Sequence, residues 1–118
     1  MKSDIPERTF AFALRAVKLC QKLDESPGVS RTLARQLLRS ATSIGANVEE
    51  GQASQSDADF VSKYSIACKE ARESLYWLRL VSASDILPES KLLPMMKECD
   101  ELIAILTSIT KKMRVKRP

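Results

Sequence analysis

The chain has 118 residues, 44% of them hydrophobic, and 19 Lys and Arg against 15 Asp and Glu give it a formal net charge of +4. This length suits one domain with one core, and the apolar share argues against disorder along the whole chain. With three Gly and few aromatic residues, sandwiches and barrels are disfavoured, since they need many turns. The charge is mildly basic and falls short of the strong excess typical of dedicated DNA-binding domains.

A first amphipathic helix is predicted over residues 7–24. Pro6 suits the first helical position, where a missing N–H costs little. Apolar residues recur at steps of three and four, which predicts one buried stripe made of Phe10, Ala13, Leu14, Val17 and Leu23. The segment from Ser26 to Gly28 breaks this pattern and ends the helix.

A second helix is predicted over residues 31–50, with Ser30 as its N-cap and Gly51 at its end. Its buried stripe consists of Leu33, Leu37, Ala41, Ile44 and Val48. The segment from Ser43 to Asn47 has low helix propensity but small side chains. Small side chains allow close approach of a neighbouring helix or of a ligand, and the sequence leaves both open.

A third helix is predicted over residues 57–83 and has the strongest periodic signal in the chain. Ser56 with Asp59 three residues later resembles a capping box, although Asp replaces the usual Glu or Gln. The apolar stripe is close to a heptad pattern and consists of Phe60, Tyr64, Ala67, Ala71, Leu75 and Leu78.

A fourth helix is predicted over residues 90–113. If Ser90 caps it, Pro94 falls in the first turn; if Pro88 opens it, Pro94 should kink it, and we expect regular helix from about Ser90. Its stripe consists of Leu92, Met95 or Met96, Cys99, Leu102, Ile103, Leu106 and Ile109. Four amphipathic helices with connections of under ten residues predict an all-α, antiparallel up-down-up-down four-helix bundle forming a single domain.

The chemistry of an enzyme is missing from the sequence. Histidine is absent, so the commonest general base and metal ligand is lacking, and no glycine-rich phosphate loop occurs. Cys20, Cys68 and Cys99 form no CxxC pair, and isolated cysteines fit a reducing cytosol. We therefore predict a cytoplasmic protein with no catalytic residues, no metal site, no cofactor and no membrane segment.

Two groups of polar and aromatic residues are singled out by their spacing. In the second helix, a polar face is formed by Arg39, Ser43, Asn47 and Glu50, and in the third helix Lys63, Glu70 and Glu73 complete it. Arg39 is predicted to pair with Glu70 and Glu73 across the two helices. Tyr76 and Trp77 are adjacent and must face different ways, so at least one covers a helix edge or a subunit interface.

Basic residues are concentrated at the end of the chain. The last eight residues contain no acid and five cations: Lys111, Lys112, Arg114, Lys116 and Arg117. Arg31, Arg35 and Arg39 add positive charge to the second helix. These eight residues are candidates for nucleic-acid binding through phosphate contacts, and a solvated charged surface is the alternative reading.

Two sequence blocks resemble a known family. The first runs from Gln36 to Glu50 (QLLRSATSIGANVEE), and the second contains Asp59, Phe60, Lys63 and the stretch from Ile66 to Leu78. Both are similar to the signature of the four-helix-bundle proteins encoded in bacterial 23S rRNA intervening sequences. The resemblance spans residues 10–109.

The resemblance implies a bacterial four-helix bundle that assembles as a homopentameric ring and has no known enzymatic activity. A related group acts as accessory variability proteins of diversity-generating retroelements, binding a reverse transcriptase and nucleic acid through a basic ring surface. We therefore expect self-association and binding of structured RNA or DNA. The alternative is a protein–protein scaffold with no nucleic-acid role.

Overall fold

Four α-helices make up residues 4–116, the part of the chain that the computed structural model describes. They are α1 (Ile5–Leu23), α2 (Val29–Gln52), α3 (Asp57–Ala83) and α4 (Glu89–Lys116). Links of four or five residues make sequence neighbours antiparallel, and α1 also contacts α4, which closes a square with α2 and α3. The bundle measures 49 × 21 × 21 Å. The predicted all-α four-helix bundle is confirmed.

The core is built from the apolar stripes of the four helices. Every residue of the stripe predicted for α2 is buried, as are most of those predicted for α3 and α4, while Phe60, Leu75, Ile103 and Ile109 are half-buried at its edge. Polar groups inside are paired: the Ser74 hydroxyl donates to the Ser40 hydroxyl oxygen at 2.8 Å, which joins α2 to α3. This pair fixes the register of two helices in an otherwise apolar interface.

The stripe predicted for α1 was wrong except at Leu23, which is buried as predicted. Phe10 is 68% exposed and Leu14 is 49% exposed. Besides Leu23, the residues that α1 buries are Ile5, Thr9, Phe12, Ala16 and Cys20. At 3.6 residues per turn, Phe10 lies on nearly the opposite side of the helix from Phe12. Both rows are apolar and both recur at steps of three and four, so periodicity alone did not distinguish the buried row from the exposed one.

The beginnings of α2 and α4 also differ from the prediction. Gly28, with φ +90°, is the N-cap of α2, whereas Ser30 lies in the first turn and its hydroxyl donates to the Leu23 carbonyl at 2.7 Å. α4 begins at Glu89, directly after Pro88. Pro94 is therefore the sixth residue of the helix, beyond the first turn in which a proline is best tolerated.

The cap of α3 is as predicted and allows a direct test. The Ser56 hydroxyl oxygen accepts a hydrogen bond from the Asp59 N–H at 3.1 Å. We expect Ser56→Ala to lower the free energy of unfolding by about 1 kcal/mol, because it leaves a helical N–H without its side-chain partner. Urea denaturation followed by the fluorescence of Trp77 measures this loss. Ser84→Ala, at an exposed position beyond the end of α3, should cost much less.

Contacts between the helices fix their relative heights along the bundle. Arg8 bonds to Glu98 at 2.7 Å and to Glu101 at 2.9 Å, so the start of α1 lies beside the middle of α4. The Cys99 thiol donates to the Ala71 carbonyl at 3.1 Å, which places the middle of α3 at the same height. α4 therefore continues well past the start of α1, and its basic C-terminal turns lie at that end of the bundle.

Candidate functional site

The polar face between α2 and α3 is centred on Arg39. Its guanidinium lies 3.4 Å from the Glu70 carboxylate and also bonds the Glu73 carboxylate. The indole N–H of Trp77 donates to the same Glu73 carboxylate at 3.1 Å. The predicted pairing of Arg39 with both glutamates is therefore confirmed, and Trp77 is added to the network.

The electrostatics of this network hold it in its charged form. The hydrogen bond from Trp77, followed by that from Arg39, lowers the pKa of Glu73. The hydrogen bond to Glu73 raises the pKa of Arg39. The cation is thus committed to two carboxylates of its own chain, and it is a poor candidate for contacting phosphate.

The remaining residues of the polar face bond mainly within their own helix. The Ser43 hydroxyl donates to the Arg39 carbonyl at 2.7 Å, and the Asn47 amide donates to the Ser43 carbonyl at 2.9 Å. Glu50 is exposed and Lys63 is half-buried; within the described residues neither makes an ion pair. The polar face therefore consists of an ion-pair network at one end, side chains that bond to the backbone of α2, and two charged residues without an ion pair in the described part of the chain.

Gly45 lies where α1 packs closely against α2. A Cβ added at Gly45 would lie 3.4 Å from the Thr9 carbonyl oxygen, so α1 crosses close to the backbone of α2 at this point. Of the two alternatives that the sequence left open for this segment, close helix packing is the one the structure supports.

The arginines predicted to bind nucleic acid from α2 do not act as one patch. Arg31 pairs with Asp24 at 3.1 Å, and it also donates to the Asp24 carbonyl. Arg39 is held by glutamates, as described above. Arg35 is exposed and makes no ion pair with any side chain in the described part of the chain. One of the three α2 arginines is thus available.

The basic end of α4 keeps its cations accessible. Lys111 and Lys112 are exposed and make no ion pair among the described side chains. Arg114 is exposed and donates to the Ser65 hydroxyl at 3.0 Å. Lys116 is the last residue of α4, and Arg117 lies outside the described residues. The structure thus brings Lys111, Lys112 and Arg114 together at one end of the bundle.

The two aromatic interface candidates differ in exposure. Tyr76 is 54% exposed, whereas Trp77 is half-buried and packs against the core. Their rings nevertheless touch, in an edge-to-face arrangement with centroids 5.2 Å apart. Tyr76 therefore offers an apolar ring to solvent, and Trp77 contributes mainly to the α2–α3 surface.

Two exposed apolar faces were missed from the sequence. One, which we call the α1–α2 face, contains Phe10, Leu14, Val17 and Leu38. The other, the α3–α4 groove, has a volume of about 730 Å³ and is lined by Leu75, Leu93, Pro94, Met96, Lys97 and Asp100. A signal was present in α1, which carries more apolar residues than a single buried stripe can accommodate.

The described residues contain neither a candidate metal site nor a candidate membrane-spanning helix. Within 4–116, no group of three or more Cys, Asp and Glu side chains is placed to hold a metal ion. None of the four helices there combines the length and the apolar character needed to cross a bilayer. The three cysteines are free and buried.

Comparisons with known proteins agree with this architecture. The family model described as 23S rRNA-intervening sequence protein matches residues 1–108. A crystal structure from Bacteroides thetaiotaomicron, described as a protein with unknown function from the S23 ribosomal protein family, superimposes with a TM-score of 0.84 at 36% sequence identity, covering 91% of this chain and 98% of that one. No curated protein matches the chain. The chain therefore belongs to the 23S rRNA-intervening sequence protein family.

Proposed function

We propose that this protein is a non-enzymatic, self-associating helix bundle of the cytoplasm that binds structured RNA or DNA through the basic end of α4. Its assembly would be a homopentameric ring, as the family resemblance implies. An accessory role beside a reverse transcriptase is the most specific form of this proposal. The observation that carries it is the accessible cluster formed by Lys111, Lys112 and Arg114.

The charge balance supports the location of the site. The five cations of the last eight residues account for the whole positive charge, since the rest of the chain has 14 basic and 15 acidic residues. Asp57 and Asp59 lie in the first turn of α3, near the same end of the bundle, where their negative charges interact favourably with the helix dipole. Neither forms an ion pair with the cluster. The cluster is thus free to contact phosphate oxygens.

Self-association would strengthen a weak patch. One copy offers few phosphate contacts, and each contact contributes little at physiological salt. Several copies that present the same helix end on one side of an assembly act together, because the second contact is made at high effective concentration. Such binding follows the backbone of the nucleic acid and reads no base sequence.

Binding of an RNA hairpin measured across salt concentrations tests the proposal. We expect steep salt dependence for the unmodified protein, and for Lys111→Ala with Lys112→Ala roughly tenfold or more weaker binding with a shallower slope. The matched control is Lys18→Ala with Lys91→Ala, which removes the same charge from exposed positions at the other end of the bundle. Absence of binding at low salt, or equal weakening by both double variants, would contradict the proposal.

A protein–protein scaffold is the second candidate. The exposed ring of Tyr76 and the two apolar faces favour it, since large exposed apolar patches commonly mark interaction sites. An assembly that forms normally but binds neither RNA nor DNA at low salt would support the scaffold.

A further inference from the structure

We infer that a pocket beside the basic end of α4 binds an unpaired base of the same nucleic acid whose phosphates the cations of α4 contact. The inference rests on the proposed function and names its substrate class, a strand with unpaired nucleotides such as a hairpin loop. The pocket, which we call the end pocket, is formed by the link between α2 and α3, by Phe60 of α3 and by Met113 of α4.

The end pocket has the size and the mixed lining of a small-molecule site. Its volume is about 390 Å³, and sites of this kind start at about 300 Å³ and combine an apolar wall with a few polar groups. Phe60 and Met113 form the apolar wall, whereas Ser54 and Gln55 contribute a hydroxyl and an amide. The Gln55 amide has no hydrogen-bond partner within residues 4–116. A nucleobase matches this lining, since it has a flat face for stacking and an edge of hydrogen-bonding groups.

The Phe60 ring is held in place for stacking. It is half-buried and stacks on the buried ring of Tyr64, with centroids 4.1 Å apart and an angle of 22° between the ring planes. Tyr64 is itself tied to α2, because its hydroxyl accepts a hydrogen bond from the Gln52 amide at 2.5 Å. A base that enters the end pocket therefore meets an aromatic ring that is already ordered. Stacking on such a ring is favourable for every base, because each base has an aromatic face.

Met113 connects the end pocket to the basic cluster of α4. Successive residues of an α-helix are rotated by about 100°, so Lys112 and Arg114 project from α4 on the two sides of Met113. Both are exposed, and Arg114 also donates to the Ser65 hydroxyl of α3 at 3.0 Å. A backbone whose phosphates contact Lys112 and Arg114 passes Met113, which places the adjoining base at the opening of the pocket.

A further cation lies beside the α2 wall of the end pocket. A Cβ added at Gly51, which lines the pocket, would be 3.4 Å from the Cβ of Lys63. Lys63 forms no ion pair with the described side chains. A nucleotide whose base occupies the pocket therefore has a cation near α2 as well as those on α4, and both are available to its phosphates.

Asp57 favours a base over a phosphate inside the end pocket. Its side chain is exposed, lines the pocket and has no cationic partner in the described part of the chain. A phosphate in the pocket would be repelled by this carboxylate, whereas a base is neutral. The charges thus direct the phosphates to the lysines and the base to Phe60. A paired base cannot make this contact, because in a duplex its faces are covered by the neighbouring bases.

Two RNA hairpins with the same number of phosphates test the inference. One has an ordinary loop, and in the other the loop nucleotides lack their bases. Because the two carry the same charge, the cations of α4 should contribute equally to both. We expect the unmodified protein to bind the ordinary hairpin roughly fivefold or more tightly than the abasic one, since only the former can stack a base on Phe60.

Variants at position 60 assign the difference to the ring. Phe60→Leu keeps an apolar side chain against the core but has no aromatic face, so it should bind the two hairpins equally and leave the salt slope unchanged. Phe60→Tyr should retain the preference for the ordinary loop. Tyr76→Leu, which removes an exposed aromatic ring outside the end pocket, is the matched control and should change neither affinity. Circular dichroism checks that every variant is folded.

Cross-linking gives an independent readout of position. A loop that contains iodouracil should, on irradiation, form adducts with Phe60 or Met113, which peptide mapping identifies. Adducts confined to other residues would contradict the inference.

The outcomes separate the inference from the proposed function. Equal affinity of the unmodified protein for the two hairpins, or a Phe60→Leu chain that still prefers the ordinary loop, would overturn the inference and leave the phosphate contacts of the proposed function intact. Absence of binding to either hairpin at low salt would refute the proposed function, and the inference with it.

Discussion

Replacing Gly51 with alanine should destabilise the bundle by about 2 kcal/mol. A Cβ at this position would lie 2.6 Å from the ring of Tyr64, closer than real side chains approach. The ring is buried and stacked on Phe60, with centroids 4.1 Å apart, and its hydroxyl accepts a hydrogen bond from Gln52. It therefore has no room to move aside. Overpacking of this kind costs up to about 3 kcal/mol, and the better helix propensity of alanine returns about 1 kcal/mol.

The same substitution at Gly45 is the matched control, because the sign should reverse. There the added Cβ would be 3.4 Å from its nearest neighbours, the carbonyl and hydroxyl oxygens of Thr9, which is ordinary contact. Gly45→Ala should therefore gain up to about 1 kcal/mol from helix propensity. Urea denaturation of both variants at one fixed protein concentration gives the comparison. Equal stability of the two variants would contradict the prediction, because it would show that the Tyr64 ring can move away from a Cβ added at position 51.

Stability should fall steeply at alkaline pH because burial raises the pKa of two thiols, those of Cys20 and Cys99. Burial, assisted by the negative charge of Asp24, raises the pKa of Cys20 from 9.0 to about 11. Burial, assisted by Asp100 and then Glu98, raises the pKa of Cys99 from 9.0 to about 12. In the unfolded chain each thiol ionises near its ordinary pKa.

The sign of the pH dependence follows from which state, folded or unfolded, holds more protons. Below pH 9 both states hold the proton and these thiols make stability independent of pH. Above pH 9 the unfolded chain releases protons that the folded chain keeps, so the free energy of unfolding falls by roughly 1.4 kcal/mol per pH unit for each thiol. The fall continues to about pH 11 for Cys20 and to about pH 12 for Cys99.

Denaturation curves at pH 8, 9, 10 and 10.5 measure this slope. The control is a chain with Cys20→Ala and Cys99→Ala: its stability at pH 8 should be lower because of the lost side-chain volume, but its slope above pH 9 should be much flatter. A slope that persists unchanged in this variant would assign the alkaline loss to other groups. Absorbance of the thiolate in the folded protein provides a second check, since Cys20 and Cys99 should contribute little thiolate at pH 10.

The sequence predicted the fold because four long segments have clear helical periodicity and short links. The buried stripe of α2 could be identified because the other faces of this helix are mostly polar. α1 has two apolar rows with the same spacing, so periodicity could not show which of them is buried. Ser30 was wrongly taken for a cap because the partner of its hydroxyl, the Leu23 carbonyl, belongs to another helix and cannot be seen in the local sequence.

The candidate site was predictable where opposite charges occupy adjacent helices, as for Arg39 with Glu70 and Glu73. It was not predictable where function depends on which charges remain unpaired. Arg31 and Arg35 look equivalent in the sequence, but Asp24 neutralises Arg31 alone. The α1–α2 face and the α3–α4 groove were missed for a related reason, since both depend on how helices far apart in sequence lie relative to each other.

The loose edge between α1 and α4 has a consequence for folding. α2, α3 and α4 form a continuous series of close helix pairs, whereas α1 rests mainly on α2 and is tied to α4 by Arg8. We expect α1 to dock last during folding and to detach first in partial opening. The five-residue link with Gly28 at its end could then let two neighbouring copies exchange their first helices, so crowding during synthesis would favour domain-swapped forms.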